Sequence, residues 1–90
     1  MNIQRKIVVR GKVQGVGFRN ATWRKAMELG IRGSVRNLDD GSVEILASAT
    51  DKEFIIFENW IREGPSHARV DRLEISELDQ TGFTNFSIDD

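Results

Sequence analysis

The sequence predicts a single α+β domain over residues 1–90, built as a two-layer sandwich with two helices on one face of a four- or five-stranded antiparallel sheet. Short segments that alternate apolar and polar residues are typical of half-buried strands. Two other segments repeat their apolar residues every three or four positions, which is typical of amphipathic helices. No repeat, linker or low-complexity tract separates these segments, and two such helices can cover only one face of the sheet.

The first strand and the first helix enclose a glycine-rich loop. Residues 3–13 are rich in Ile and Val, and we expect a strand there that ends near Gly11 or slightly later. A helix should begin at about Phe18 and end at Gly30, because glycine favours the left-handed conformation that closes many helices. Its apolar side has the spacing of Phe18, Thr22, Ala26 and Leu29.

The next segment has the pattern of a hairpin. Residues 31–37 alternate in the manner of a half-buried strand, and residues 38–41 end in Asp-Gly, which is a strong turn signal. We expect residues 42–48 to return as a third strand that pairs antiparallel with the second.

A second helix and one or two further strands complete the chain. Thr50 and Glu53 have the spacing of a capping box, and Gly64-Pro65 should end the helix because proline cannot continue its hydrogen bonds. Residues 70–78 alternate again, and Phe86 with Ile88 suggests a short last strand or extension. The resulting βαββαβ order is that of the ferredoxin-like sandwich, in which the first and third strands are neighbours.

Composition excludes several kinds of site. With no cysteine and one histidine, the chain has no disulfide framework, no thiolate nucleophile, no cysteine-bound zinc and no site that needs two imidazoles. No apolar run approaches the roughly 20 residues of a membrane helix, and residues 1–6 lack the apolar stretch and the small-residue cleavage site of a secretory signal. We therefore expect a cytoplasmic protein that does not bind membranes.

Charge is distributed unevenly along the chain. Residues 1–38 contain nine Lys or Arg against one acid, Glu28, whereas residues 39–90 contain four against thirteen acids. This split indicates either an anion site built from the first part or mutual neutralisation of the two parts in the fold.

The loop before the first helix is the strongest candidate for a binding site. Glycines at 15 and 17 permit backbone angles that turn successive N–H groups toward one point, and the helix N-terminus adds partial positive charge. Arg19, in the first helical turn, has a fork of donors suited to two phosphate oxygens. The residues fit neither the Walker loop nor the dinucleotide fingerprint, and a turn without a ligand remains an alternative.

Asn37 is a second candidate. It ends the second strand, and in this topology it can lie close to the glycine loop, although asparagine is also common in turns for conformational reasons.

Two stretches of the sequence resemble the signatures of the acylphosphatases. They read Val9-x-Gly-x-Val-Gln-Gly-Val-x-Phe-Arg19 and Gly33-x-Val-x-Asn37, the second followed by Asp40-Gly-x-Val-Glu44. The resemblance covers nearly the whole chain. Two positions depart from the family pattern: Ser34 stands where an aromatic residue is common, and Leu38 where a hydroxyl often follows the asparagine.

The resemblance implies a metal-independent hydrolase without a cofactor, which cleaves small-molecule acyl phosphates to a carboxylate and inorganic phosphate. It implies that Arg19 grips the phosphoryl group and that Asn37 orients the attacking water. It also implies a substrate cradle formed by the backbone of Gly15, Val16, Gly17, Phe18 and Arg19. We expect a monomer without a nucleic-acid partner.

Two other functions share this topology. An RNA-binding module would stack bases on aromatic residues of its central strands, and residues 7–10 and 42–48 contain none. A domain that binds phosphate without turnover would use the same loop, and the sequence does not distinguish it from an enzyme.

Overall fold

The computed structural model describes residues 2–79 and 82–89, which form five strands and two helices. In chain order these elements are β1 (Ile3–Lys12), α1 (Phe18–Leu29), β2 (Arg32–Asn37), β3 (Val43–Ala49), α2 (Asp51–Glu63), β4 (Arg69–Glu77) and β5 (Phe86–Asp89). The predicted fold class is confirmed, and each predicted element is present within one or two residues of its expected bounds.

The five strands form one sheet in the order β4-β1-β3-β2-β5. β1 pairs antiparallel with β3 and β4, and β3 pairs antiparallel with β2. The expectation of a wholly antiparallel sheet needs one correction, because β5 pairs parallel with β2 and makes the sheet mixed. The alternation of Phe86 and Ile88 fixes which faces they occupy, but it does not specify the neighbouring strand or its direction.

The core lies between the helices and one face of the sheet. Ile7, Val9 and Ile45 from the central strands are fully buried against Phe54 and Phe57 of α2. α2 begins with the predicted capping box: Thr50 Oγ1 accepts from the Glu53 amide at 3.2 Å, and Glu53 Oε1 accepts from the Thr50 amide at 2.8 Å. Neither helix is long and apolar enough to cross a membrane.

The topology gathers several chain segments at one edge of the sheet. β1 and β2 are both antiparallel to β3, so they run in the same direction, and β5 runs parallel to β2. The C-terminal ends of these three strands therefore lie at the same edge. The loop after β1 leads directly into α1, so the N-terminus of α1 also lies there.

The β2–β3 connection is longer than the tight turn that Asp-Gly suggests. Asn37 pairs with Val43, which leaves residues 38–42 as the connection. The Leu38 amide donates to the Ser42 carbonyl at 2.9 Å, and the Gly41 amide donates to the Leu38 carbonyl at 3.2 Å. Asp40 and Gly41 therefore belong to a compact loop closed by its own backbone.

Candidate active site

A cleft of about 390 Å³ opens at this edge of the sheet. It is lined by residues of the loop after β1, the first turn of α1, and the ends of β2 and β5: Val13, Gly15, Gly17, Phe18, Arg19, Asn20, Asn37 and Ile88. Arg19 and Asn37, which are 18 positions apart in the sequence, thus line one cleft together with the glycine loop.

The loop adopts the backbone conformation that its glycines permit. Gly15 has φ 74° and Gly17 has φ 78°, values that side-chain-bearing residues rarely adopt. Gly17 caps α1 in the left-handed conformation, and its carbonyl accepts from the Ala21 amide at 3.0 Å. Between the two glycines, Val16 packs its side chain against the core. The half-buried side chain of Val16 therefore anchors the loop, and Val16 is not among the residues that line the cleft.

The N-terminus of α1 gives this part of the cleft an electropositive character. The N–H groups of a first helical turn have no partner within the helix, and the helix dipole adds partial positive charge there. No acidic residue lies in the first turn of α1. Phe18 is 1% exposed and fixes the start of the helix in the core, and the half-buried Arg19 follows it at the cleft. The arrangement suits a dianionic group such as a phosphate ester or anhydride.

Asn37 supplies a neutral polar group to the same cleft. It follows Val35 by two residues on β2, so both side chains lie on the helix-covered face of the sheet. Its Oδ1 is buried and has no hydrogen-bond partner among residues 2–79 and 82–89. A buried acceptor without a partner is costly, so this oxygen is suited to accept a hydrogen bond from a small molecule in the cleft.

Gln14 connects the glycine loop to the β2–β3 connection. Its Nε2 donates to the Leu38 carbonyl at 2.8 Å and to the Ser42 carbonyl at 2.9 Å. Both hydrogens of one amide thus hold the segment that directly follows Asn37. The contact fixes the strand end that carries Asn37 relative to the loop that carries Gly15.

Ion pairs stabilise the same connection from the open face of the sheet. Arg10 lies 3.0 Å from both Asp40 and Glu74. Hydrogen bonds from the hydroxyl and the amide of Ser42, together with the Arg10 guanidinium, lower the pKa of Asp40 from 3.8 to about 2. Asp40 is therefore a structural carboxylate that remains ionised near neutral pH, and it is unsuited to act as a general acid.

Of the residues expected from the sequence to form the site, Gly15, Gly17, Phe18, Arg19 and Asn37 line the cleft. Sequence reasoning did not single out Val13, Gln14, Asn20 or Ile88. Within the described ranges, no group of three or more His, Asp or Glu side chains gathers in a way that could hold a metal ion.

The chain is similar to proteins of one family over almost its whole length. The family model described as Acylphosphatase matches residues 5–88. An acylphosphatase from Mannheimia succiniciproducens is 46% identical over 86 residues, which cover 96% of this chain and 93% of that protein.

Two solved structures agree with that match. An acylphosphatase from Coxiella burnetii superposes with a TM-score of 0.92 at 34% identity, covering 98% of this chain and 93% of the other. The crystal structure of acylphosphatase from Bacillus subtilis gives 0.91 at 36% identity, with 98% of each chain covered. With the glycine loop, the arginine and the asparagine gathered at one cleft, the chain belongs to the acylphosphatase family.

Proposed function

We propose that this member of the acylphosphatase family hydrolyses acyl phosphates in the cleft, with the phosphoryl group bound by Arg19 and by the backbone of residues 15–19. Asn37 orients the attacking water. The observation that carries the proposal is that Arg19, Asn37 and the glycine loop line one cleft. The products are a carboxylate and inorganic phosphate.

The binding step follows from charge and geometry. A phosphoryl group presents several oxygens, and a guanidinium can contact two of them with parallel N–H donors. Backbone N–H groups of the loop and of the first turn of α1 contribute further donors that need no reorganisation during the reaction. This part of the cleft is already organised for the charge that develops in the transition state.

The Oδ1 of Asn37 is suited to position water. A water that donates one hydrogen bond to this oxygen is held with a lone pair free to attack phosphorus. As the water oxygen–phosphorus bond forms, the bond from phosphorus to the carboxyl oxygen breaks, and the electron pair leaves with the carboxylate. One proton of the water passes to a phosphoryl oxygen, and the other stays on the oxygen that is now bonded to phosphorus.

A strong general base is not required for this reaction. A carboxylate is a weak base, so it departs without protonation by an acid. In a loose phosphoryl-transfer transition state the water need not be deprotonated early. Positioning and charge stabilisation therefore suffice, and a neutral amide can do the positioning.

Turnover of benzoyl phosphate tests these assignments. Arg19→Ala should lower kcat/KM by roughly 10²- to 10³-fold, the usual cost of removing one transition-state donor, and should weaken inhibition by inorganic phosphate. Arg19→Lys should recover little, because an ammonium lacks the fork. Asn37→Ala should lower kcat while leaving phosphate inhibition close to that of the wild type. Wild-type activity should persist in a chelator.

Matched controls are available on the helices. Arg24→Ala changes an exposed arginine of α1, and Asn59→Ala an exposed asparagine of α2, neither of which lines the cleft. Both should keep full turnover. Equal turnover in the wild type, Arg19→Ala and Asn37→Ala would refute the assignment, and phosphate binding without turnover in the wild type would select the non-catalytic alternative.

The remaining expectations are part of the same proposal. We propose that the enzyme acts in the cytoplasm as a monomeric single domain and has no nucleic-acid partner. The gathering of Arg19, Asn37 and the loop within one copy of the chain supports monomeric action. Sedimentation at assay concentrations and titration with single-stranded RNA test these points.

A further inference from the structure

One wall of the cleft is apolar and exposed. Ile88 keeps 41% of its surface exposed and lines the cleft, beside the almost fully buried Val13 and Phe18. In the part of the chain that the structure describes, the other large apolar side chains with comparable exposure lie on α1, α2 and β4 and do not line the cleft: Met27, Ile55, Ile56 and Ile75. An exposed apolar side chain needs no explanation by itself, but this one shares a concave site with polar groups suited to an anion.

The sheet topology fixes where Ile88 lies. In the parallel pairing of β5 with β2, Phe86 is opposite Gly33 and Ile88 is opposite Val35. Phe86 is covered by α1, where Trp23 Nε1 donates to its carbonyl at 3.0 Å, and its side chain is 3% exposed. Ile88 is two residues further along the strand, at the edge where α1 begins, and it therefore lacks that cover.

The same pairing relates Ile88 to Asn37. Both side chains lie on the helix-covered face, and Asn37 is two residues beyond Val35, the partner of Ile88. With strands about 4.8 Å apart and about 3.3 Å per residue, their Cα atoms are diagonal neighbours separated by roughly 8 Å. Ile88 thus lies in the same cleft as Asn37, at a separation that an in-line arrangement of water, phosphorus and leaving group can span.

We propose that Ile88 forms an acyl subsite, and that the enzyme prefers acyl phosphates with a large apolar acyl group to those with a short one. This inference rests on the proposed function. An acyl phosphate has a strongly anionic end and a carbon end. If the loop and Arg19 bind the phosphoryl end, the acyl group lies elsewhere in the cleft. Contact between an apolar acyl group and Ile88 removes apolar surface of both from water, which favours binding.

The expected effect is moderate because the wall is open. One methylene in a closed hydrophobic pocket changes discrimination between substrates by roughly 10- to 200-fold. Ile88 is still 41% exposed, so a substrate covers it only in part. We expect the lower end of that range, about tenfold, when most of the side chain is removed.

The experiment compares kcat/KM for benzoyl phosphate and acetyl phosphate in the same protein. Ile88→Ala should lower the benzoyl-to-acetyl ratio by about tenfold, mainly through KM for benzoyl phosphate. Ile88→Thr keeps the β-branched shape that suits a strand, and it should lower the ratio by a smaller factor. Because Thr preserves strand propensity, the test does not depend on whether the Ala variant folds well.

Ile55→Ala is the matched control, since Ile55 is 64% exposed on α2 and does not line the cleft. It should leave the ratio unchanged. An unchanged ratio in both Ile88 variants, with wild-type turnover intact, would overturn the acyl subsite and leave the proposed function standing. Failure of the wild type to hydrolyse either substrate would remove the proposed function and the subsite together.

Discussion

Replacing Gln14 with methionine tests the connection between the two halves of the cleft. Gln14→Met keeps the length and the apolar stem of the side chain and removes both N–H donors. In the structure these donors hold the carbonyls of Leu38 and Ser42, just after Asn37. We expect the substitution to lower both the free energy of unfolding and the turnover of benzoyl phosphate.

The size of the loss in stability follows from the two bonds. A hydrogen bond within a protein contributes roughly 0.5–1.5 kcal/mol net, so two of them contribute about 1–3 kcal/mol. Both acceptors keep another donor, because the Leu38 carbonyl also accepts from Gly41 and the Ser42 carbonyl also accepts from Leu38. Neither is left without a partner, so we expect the lower part of the range, about 1–2 kcal/mol. For a domain of this size that lowers Tm by roughly 4–16 °C.

Urea denaturation of the wild type and of Gln14→Met measures this difference. Gln4→Met is a suitable control, because Gln4 is also half-buried but its side chain makes a single hydrogen bond within residues 2–79 and 82–89, from its Nε2 to Ser48 Oγ at 3.1 Å on the same sheet. It should cost about half as much or less and should leave turnover unchanged. Equal denaturation midpoints for Gln14→Met and the wild type, with unchanged slopes, would show that the two bonds do not stabilise the fold.

Three further substitutions test other parts of the structure. Gly33 has φ 148°, and an added Cβ would overlap the Leu46 carbonyl, so Gly33→Ala should cost more than about 3 kcal/mol. Gly41→Ala meets only the conformational cost of φ 93°, about 1–2 kcal/mol, and similar thermal midpoints for the two variants would contradict this account. The folded-state pKa of Asp40 is about 2, below its ordinary 3.8, so its contribution is complete above about pH 5 and is lost as the pH falls through 2. Asp40→Asn should therefore flatten the stability–pH curve in that interval, and a curve as steep as that of the wild type would count against the assignment.

Local sequence patterns predicted most of the fold because most elements here follow local rules. The alternation in residues 31–37 and the capping box at Thr50 depend on residues that are close in sequence. The direction of β5 was not predictable in this way. Its place beside β2 depends on contacts over more than fifty residues, including the bond from the Gly33 amide to the Asn85 carbonyl at 2.9 Å.

The sequence predicted those site residues whose type and spacing are characteristic of anion binding. Glycines before a helix and Arg19 in its first turn indicate an anion site without reference to the rest of the fold. The role of Gln14 could not be predicted from residue types, because it donates to backbone carbonyls, which every residue has. The exposure of Ile88 could not be predicted from the sequence either, since it depends on where α1 begins relative to the end of β5.

The strand order also has a consequence for how the protein acquires activity during refolding. Among the strand pairs described, only β2 and β3 are consecutive strands in the sequence. The residues of β1 pair with residues at least 34 positions away. Such non-local pairing slows folding to milliseconds or longer. The cleft is lined by the loop after β1 and by the ends of β2 and β5, so a refolding chain should regain its full kcat/KM for benzoyl phosphate only when its last strand has docked.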